Sequence, residues 1–91
     1  MARKEKVTKV IDGDTFETAS RKKPVRLANV DAPEKGERGS AKATEALREM
    51  IEGKEVRIET VGRDKYGRAV AKVYIGRESV NKKMKEKLKR S

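Results

Sequence analysis

Hydrophobic positions along this chain mostly alternate with polar ones, and only two stretches change to a helical spacing. Residues Met1 to Lys6 are mostly polar and are expected to fray. Val7, Val10 and Ile11 form a short β-leaning run, followed by Asp12-Gly13, a strong two-residue turn signal. Thr15 to Ala19 then alternates, with Phe16 and Thr18 on one face, so the two runs read as a hairpin. A third strand runs over Pro24-Val25-Arg26-Leu27-Ala28-Asn29-Val30. Regular alternation puts Val25, Leu27 and Asn29 on one side and Arg26, Ala28 and Val30 on the other. Pro24 suits a strand start and Pro33 a strand stop.

Lys35 to Gly39 is a charged, glycine-containing loop, expected to be the most mobile part of the chain. Over Ser40 to Glu52 the period changes: Ala43, Leu47, Met50 and Ile51 mark one face of a helix. Ser40 is its expected N-cap and Gly53 its stop. Val56, Ile58 and Thr60 alternate with Arg57 and Glu59 in a fourth strand. A polar turn over Gly62 to Gly67 leads to a fifth, Ala69 to Ile75, with Ala69, Ala71, Val73 and Ile75 facing one way. Gly76 ends it, and Ser79 to Arg90 is a second helix with the stripe Val80, Met84 and Leu88. The order β-β-β-α-β-β-α predicts a mainly β fold with helices, a five-stranded OB-type barrel. One domain covers residues 1–91, with no repeat or linker.

Composition narrows the chemistry. Charged residues make up 44% of the 91 residues, against a norm of about 25%. The core is therefore thin and needs nearly every apolar position. Lys plus Arg number 25 against 15 Asp plus Glu, a net charge of +10, which favours a polyanionic partner such as nucleic acid or an anionic surface. Spread-out charge of this kind also serves solubility alone. Glutamine is absent and asparagine occurs only at Asn29 and Asn81; with abundant Lys and Glu this resembles a heat-adapted composition. There is no cysteine and no histidine, so thiolate and imidazole sites are excluded. A metal held by this chain must be held by oxygen, which suits Ca²⁺, Mg²⁺ or Mn²⁺. No run approaches the roughly 18 apolar residues of a membrane span, and the N-terminus has no apolar signal core. A soluble chain is expected, as either a secreted mature form or a cytoplasmic one.

Three polar turns carry the candidate chemistry. Asp14 and Asp31 both lie at strand-edge turns, where two carboxylates with a backbone carbonyl and waters make a hard-cation site. Each is equally at home as a turn residue bonding to its own backbone. Arg26 and Arg68 match phosphate oxygens and keep their charge. The bland alternative for Arg26 is a surface pair with Glu17 or Glu59. Glu34 can orient or deprotonate a water, or be an ordinary loop charge.

Taken together, three blocks resemble the staphylococcal-nuclease-like (thermonuclease) family. They are Ile11-Asp12-Gly13-Asp14-Thr15, Val25-Arg26-Leu27 through Val30-Asp31-Ala32-Pro33-Glu34, and Asp64-Lys65-Tyr66-Gly67-Arg68. Val80-Asn81 also looks like the family's segment after the fifth strand, so the likeness covers roughly residues 7 to 82. The resemblance implies an OB-fold endonuclease that uses Ca²⁺ to hydrolyse DNA and RNA phosphodiesters and leaves 3′-phosphates. It implies Asp14 and Asp31 as metal carboxylates and Ala32 as a carbonyl ligand. It further implies Arg26 and Arg68 on the scissile phosphate, Glu34 on the attacking water, and Lys65 and Tyr66 on a neighbouring terminal phosphate. Ala32 stands where the family commonly has threonine, a change that keeps a carbonyl ligand and loses a hydroxyl contact. The basic helix at about 79–90 is shorter and less apolar than the family's usual ending, so it is expected to be a truncated one.

The competing function is a non-catalytic OB-fold nucleic-acid-binding module. Single-strand binders of that kind stack bases on several aromatics, whereas this chain has only Phe16, Tyr66 and Tyr74. A pure binder also gains nothing from carboxylates facing a polyanion. Nucleic acid is the expected partner, with single-stranded DNA or RNA favoured. The lysine-rich last helix has two further readings, a cover for the barrel end and a membrane- or partner-binding surface.

Overall fold

A computed structural model describes residues 4–34 and 36–90, except the side chain of Arg90. The expectations made for Met1 to Arg3 and for Lys35 lie outside the described residues. The elements are β1 (Lys4–Asp12), β2 (Thr15–Thr18), β3 (Val25–Leu27), α1 (Ser40–Ile51), β4 (Glu55–Arg63), β5 (Ala69–Ile75), β6 (Glu78–Ser79) and α2 (Val80–Arg90). The sheet order is β3-β2-β1-β4-β5-β6, and β3 also pairs with β5, which closes five strands into the expected barrel. The closing pair is parallel, Val25 to Ala69 through Leu27 to Ala71, while the other pairs are antiparallel. The two-residue β6 only extends the β5 edge.

The first strand is longer than its apolar residues suggest. Lys4, Glu5 and Lys6, expected to fray, pair with Arg57, Val56 and Glu55. Val7 and Val10 are three residues apart, so an unbroken strand would send them to opposite faces. Both are buried, because the pairing with β2 slips between Val7 and Lys9 and again between Val10 and Asp12. Such bulges bend and twist a strand, letting β1 pair with β4 at one end and β2 at the other. The hairpin turn is also one residue later than expected. Asp12 pairs with Thr15, leaving Gly13 and Asp14 as the loop.

Strand β3 is shorter than expected. Val25 and Leu27 are fully buried, as their alternation requires. Asn29 then turns the chain with φ 60°, a left-handed conformation that asparagine tolerates better than most residues. Beyond it Val30 is again buried, and Asp31 is delivered to the barrel rim.

One core forms from the inward faces of the strands, with Phe16 and Leu27 among its largest buried side chains. Helix α1 adds Leu47 and Ile51, and α2 adds Val80 and Met84, with Leu88 partly buried against them. The apolar stripe of α2 is thus packing surface. Ser40 is the first helical residue rather than the cap. Gly39 occupies the cap position at φ 87° with no side-chain cap bond. Gly53 ends the helix as expected, at φ 78°. No helix among the described residues is long and apolar enough to cross a membrane.

Two contacts tie the helices to the strand ends. Gly13 is buried beneath α1, where a Cβ would meet the Ala43 Cβ at 2.6 Å and the Ala32 Cβ at 2.7 Å. Asn81, at the start of α2, spans the closing seam. Its Oδ1 accepts from the Val73 N–H at 2.8 Å, and its Nδ2 donates to the Ala28 and Ala71 carbonyls at 2.9 and 3.0 Å. Replacing Asn81 with Ala deprives one N–H and two carbonyls of that partner. The Ala71 carbonyl keeps the Ala28 N–H, but the Val73 N–H and the Ala28 carbonyl are orphaned, and we expect a loss of about 3 kcal/mol, read as a lower urea midpoint, because each such buried group costs about 1–3 kcal/mol. For Gly13→Ala the two alanine methyls have no rotamer to escape into. Thermal unfolding should show a loss of about 1–3 kcal/mol, and an unchanged Tm would refute the close packing.

Candidate active site

The three turns singled out in the sequence meet at one rim of the barrel. A cleft of about 480 Å³ is lined by Asp12, Asp14, Arg26, Asp31, Ala32, Glu34, Tyr66 and Arg68. Every expected site residue lines it except Lys65, which lies beside it with its ammonium 5.2 Å from the centre of the Tyr66 ring. Strands and the turns at their ends supply them: Asp14 precedes β2, Arg26 is the middle of β3, Asp31 follows β3, and Arg68 precedes β5.

Asp14 is the buried member, only 8% exposed. Its Oδ1 accepts the Thr15 hydroxyl at 2.8 Å and its Oδ2 accepts the Ala32 N–H at 3.2 Å. Loss of water around Asp14 pushes its pKa up. The Asp12 carboxylate adds to that rise, against the opposing pull of the Ala32 and Thr15 donors. Asp12 also accepts the Asp14 N–H at 3.0 Å, which fixes the turn. Asp31 is the opposite case, with its side chain 98% exposed.

Arg26 joins the two acids. Its Nη2 lies 3.0 Å from Asp31 Oδ1 and 3.7 Å from Asp14 Oδ2. The same group donates to the Val30 carbonyl at 3.3 Å, and Nη1 donates to the Leu27 carbonyl at 3.4 Å. The guanidinium is therefore aimed by backbone oxygens. Its partners are the site acids rather than Glu17 or Glu59.

Arg68 is held by Asp64, four residues earlier. Asp64 Oδ2 accepts Arg68 Nε at 2.5 Å, while Oδ1 accepts the Tyr66 and Arg68 N–H groups at 3.0 and 2.9 Å. Desolvation opposes the charge on Asp64, but these donors outweigh it and hold its pKa below the usual carboxylate range. The Arg68 guanidinium lies 5.3 Å from the centre of the Tyr66 ring, and Tyr66 itself is 69% exposed. Glu34 is exposed, and its carboxylate has no hydrogen-bond partner among the described residues.

The donor set fits a hard cation. The two acids sharing Arg26 offer carboxylate oxygens, the Ala32 carbonyl lies on the same rim, and Asp14 is a desolvated carboxylate that a nearby positive charge relieves. Among the described residues no three acidic side chains form a cage, so carbonyls and waters must complete any coordination shell.

Sequence reasoning undervalued Asp12 and did not single out Asp64. The signal for Asp64 was its place four residues before Arg68 across a glycine turn. Asn81, noticed only within a matching segment, turns out to bind the seam beneath the site.

Comparison with known proteins agrees with this geometry. A family model described as "Staphylococcal nuclease homologue" matches residues 24–87. A protein named "Uncharacterized endonuclease" from Escherichia coli O157:H7 is 39% identical over 71 residues, 76% of this chain and 46% of its own length. One of the same name from Haemophilus influenzae is 35% identical over 82 residues, 87% of this chain and 46% of its own. A "Micrococcal nuclease" from Shigella flexneri is 34% identical over 70 residues, 75% of this chain and 40% of its own. The chain thus spans about half the length of the curated relatives it matches. The family match, the closed five-stranded barrel and the three turns at its rim agree: this chain belongs to the staphylococcal nuclease homologue family.

Proposed function

We propose that this chain is a Ca²⁺-dependent endonuclease, a phosphodiesterase that hydrolyses DNA or RNA and leaves 3′-phosphate products. The observation that carries it is the meeting of two arginines, two acids and an unpartnered glutamate in one cleft. Membership of a nuclease family and a net charge of +10 support the same substrate. Single-stranded nucleic acid is the favoured substrate.

Asp14, Asp31 and the Ala32 carbonyl would hold the cation. When bound there, a divalent ion would supply positive charge to offset that developing on the phosphate. The chain's own groups do the rest. Arg26, aimed by the Val30 and Leu27 carbonyls, exchanges carboxylate oxygen for phosphate oxygen without losing its orientation. Arg68, braced by Asp64, meets the same phosphate from the opposite turn. Both are in place before reaction, which is where electrostatic catalysis gains most. Glu34 receives the proton of the attacking water or orients it, since its oxygens are otherwise free among the described residues. Lys65 and Tyr66 would contact a neighbouring terminal phosphate.

The binding-only reading is weaker. Phe16 is fully buried in the core, and Tyr74 lies under the Arg57 guanidinium at 4.8 Å from its ring centre. Tyr66 alone remains well exposed, too little aromatic surface for a stacking platform.

Single-stranded DNA should be cleaved with Ca²⁺ and left intact with chelator or with Mg²⁺. Equal cleavage in chelator would sink the metal dependence. Tight, salt-sensitive binding without cleavage would favour the binding module. Arg68→Ala should lower kcat by about 10²–10³-fold, the scale for removing one preset charge-stabilising donor. Its urea midpoint should stay near the wild-type value, because Asp64 still accepts the two backbone N–H groups of the turn. A mild kinetic effect would remove Arg68 from the site.

A further inference from the structure

A second cleft, about 560 Å³, opens on the other side of the turn that carries Tyr66 and Arg68. Its lining includes Arg21, Lys22, Lys23, Arg63 and Gly67, and no carboxylate. The turn preceding β3 is anchored from below. Glu5, on β1, accepts the Ser20 hydroxyl at 2.6 Å and takes Arg21 at both oxygens, at 2.7 and 3.0 Å. Arg21 is thereby neutralised and becomes a structural strut. Lys22 and Lys23 are left exposed, with no carboxylate partner among the described residues. Arg63 faces them from β4, its side chain donating, among the described residues, only to the Gly67 carbonyl at 3.1 Å. Three uncompensated cations thus share one concave surface.

The two clefts are neighbours. A Cβ on Gly67 would lie 2.8 Å from Lys23 Nζ, so that ammonium sits against the residue between Tyr66 and Arg68. Gly67 adopts φ +80° and leaves that passage open. Lys23 is three residues before Arg26 along the chain entering β3, so the two clefts are linked by one short segment.

We propose that this cleft is a distal phosphate subsite for the polynucleotide backbone. It takes the strand beyond the bond being cut, through Lys22, Lys23 and Arg63. The proposal rests on the reading of the acidic cleft as the place where the scissile phosphate sits. A continuous polyanion fits better than a lipid surface, since the site is concave and its lining has no large apolar side chain to enter a bilayer. Ammonium and guanidinium groups without base-edge geometry read phosphates and not sequence.

The test uses the Lys22→Gln/Lys23→Gln double variant and a triple variant that adds Arg63→Gln. Binding of a labelled 12-mer oligothymidylate is followed by anisotropy in chelator over a KCl titration. The slope of log K against log salt should shrink by about 1.4 in the double variant and about 2 in the triple, at roughly 0.7 per lost single-strand contact. With Ca²⁺ present, KM for the 12-mer should rise, while kcat and KM for a dinucleotide stay at wild-type values. An unchanged slope overturns the subsite even if the protein is an active nuclease. An equal loss on the dinucleotide also overturns it, since the effect would then not depend on strand length. So does weakened binding to phosphatidylserine vesicles with oligonucleotide binding intact. A smaller slope in a protein that cleaves nothing supports the subsite and refutes the nuclease reading.

Discussion

Three residues of parallel pairing hold this molecule in working order. Val25, Arg26 and Leu27 lie against Ala69, Val70 and Ala71, and without that seam the sheet is an open ribbon. So short a pairing needs help, and it comes from both sides. The Ala28 N–H extends the seam by donating to the Ala71 carbonyl at 2.8 Å, and Asn81 bonds across it. Closure also fixes the site. Arg26 is the middle residue of the seam, Asp31 follows its end, and Arg68 precedes the strand it pairs with. The β1–β2 turn is tied to the same strand, since the Leu27 N–H donates to the Asp14 carbonyl at 2.7 Å. A barrel that failed to close would scatter the acids and arginines even with every strand intact.

Most of this architecture can be read from alternation. The bounds of β5 agree with Ala69 to Ile75 because every second residue there is apolar, and the one slip in its pairing with β4 places the extra residue, Val61, on β4. What escaped the sequence are places where the backbone breaks its own period. Val7 and Val10 are reconciled by slips in register, and Val30 returns to the core only because Asn29 takes a left-handed turn. Neither device is visible in hydrophobicity. The fraying expected before Val7 failed for a related reason. Lys4 to Lys6 gain order from the β4 ladder, where backbone bonds do not depend on apolar side chains. The cap of α1 was misplaced because Gly39 provides it by conformation, leaving Ser40 inside the helix.

The site was legible as a set of positions and illegible as a circuit of charge. Spacing could put Asp14, Asp31, Arg26 and Arg68 at turns, and the barrel then brings those turns together. Which acid would be buried could not be read. Asp14 is enclosed because Gly13 lets α1 settle onto the turn, with Ala43 and Ala32 on either side. Asp31 stays in solvent because the chain has just turned outward at Asn29. The two carboxylates are thus unlike in environment though alike in sequence, and Arg26 offsets both. In a low-dielectric corner such a buried acid is costly unless positive charge is near.

Charge is also divided between the two sides of one turn. Asp64 draws Arg68 and two backbone N–H groups to itself, which stiffens the turn and points Arg68 toward the acids. Glu5 does the equivalent at the turn before β3, consuming Arg21 and leaving Lys22 and Lys23 outward. In each case a carboxylate fixes one arginine to organise a loop; at the turn before β3 the remaining cations, Lys22 and Lys23, face solvent. The net charge of +10 is therefore no uniform coat. Acids are concentrated in the cleft with Arg26 and Arg68, and they are absent from the lining of the neighbouring basic cleft. A polyanion is drawn toward the basic cleft and repelled by bare carboxylates beside it, unless those carboxylates already carry a cation. On the proposed reading, binding of strand and binding of metal would then favour each other on electrostatic grounds alone, through a barrier only one glycine turn wide.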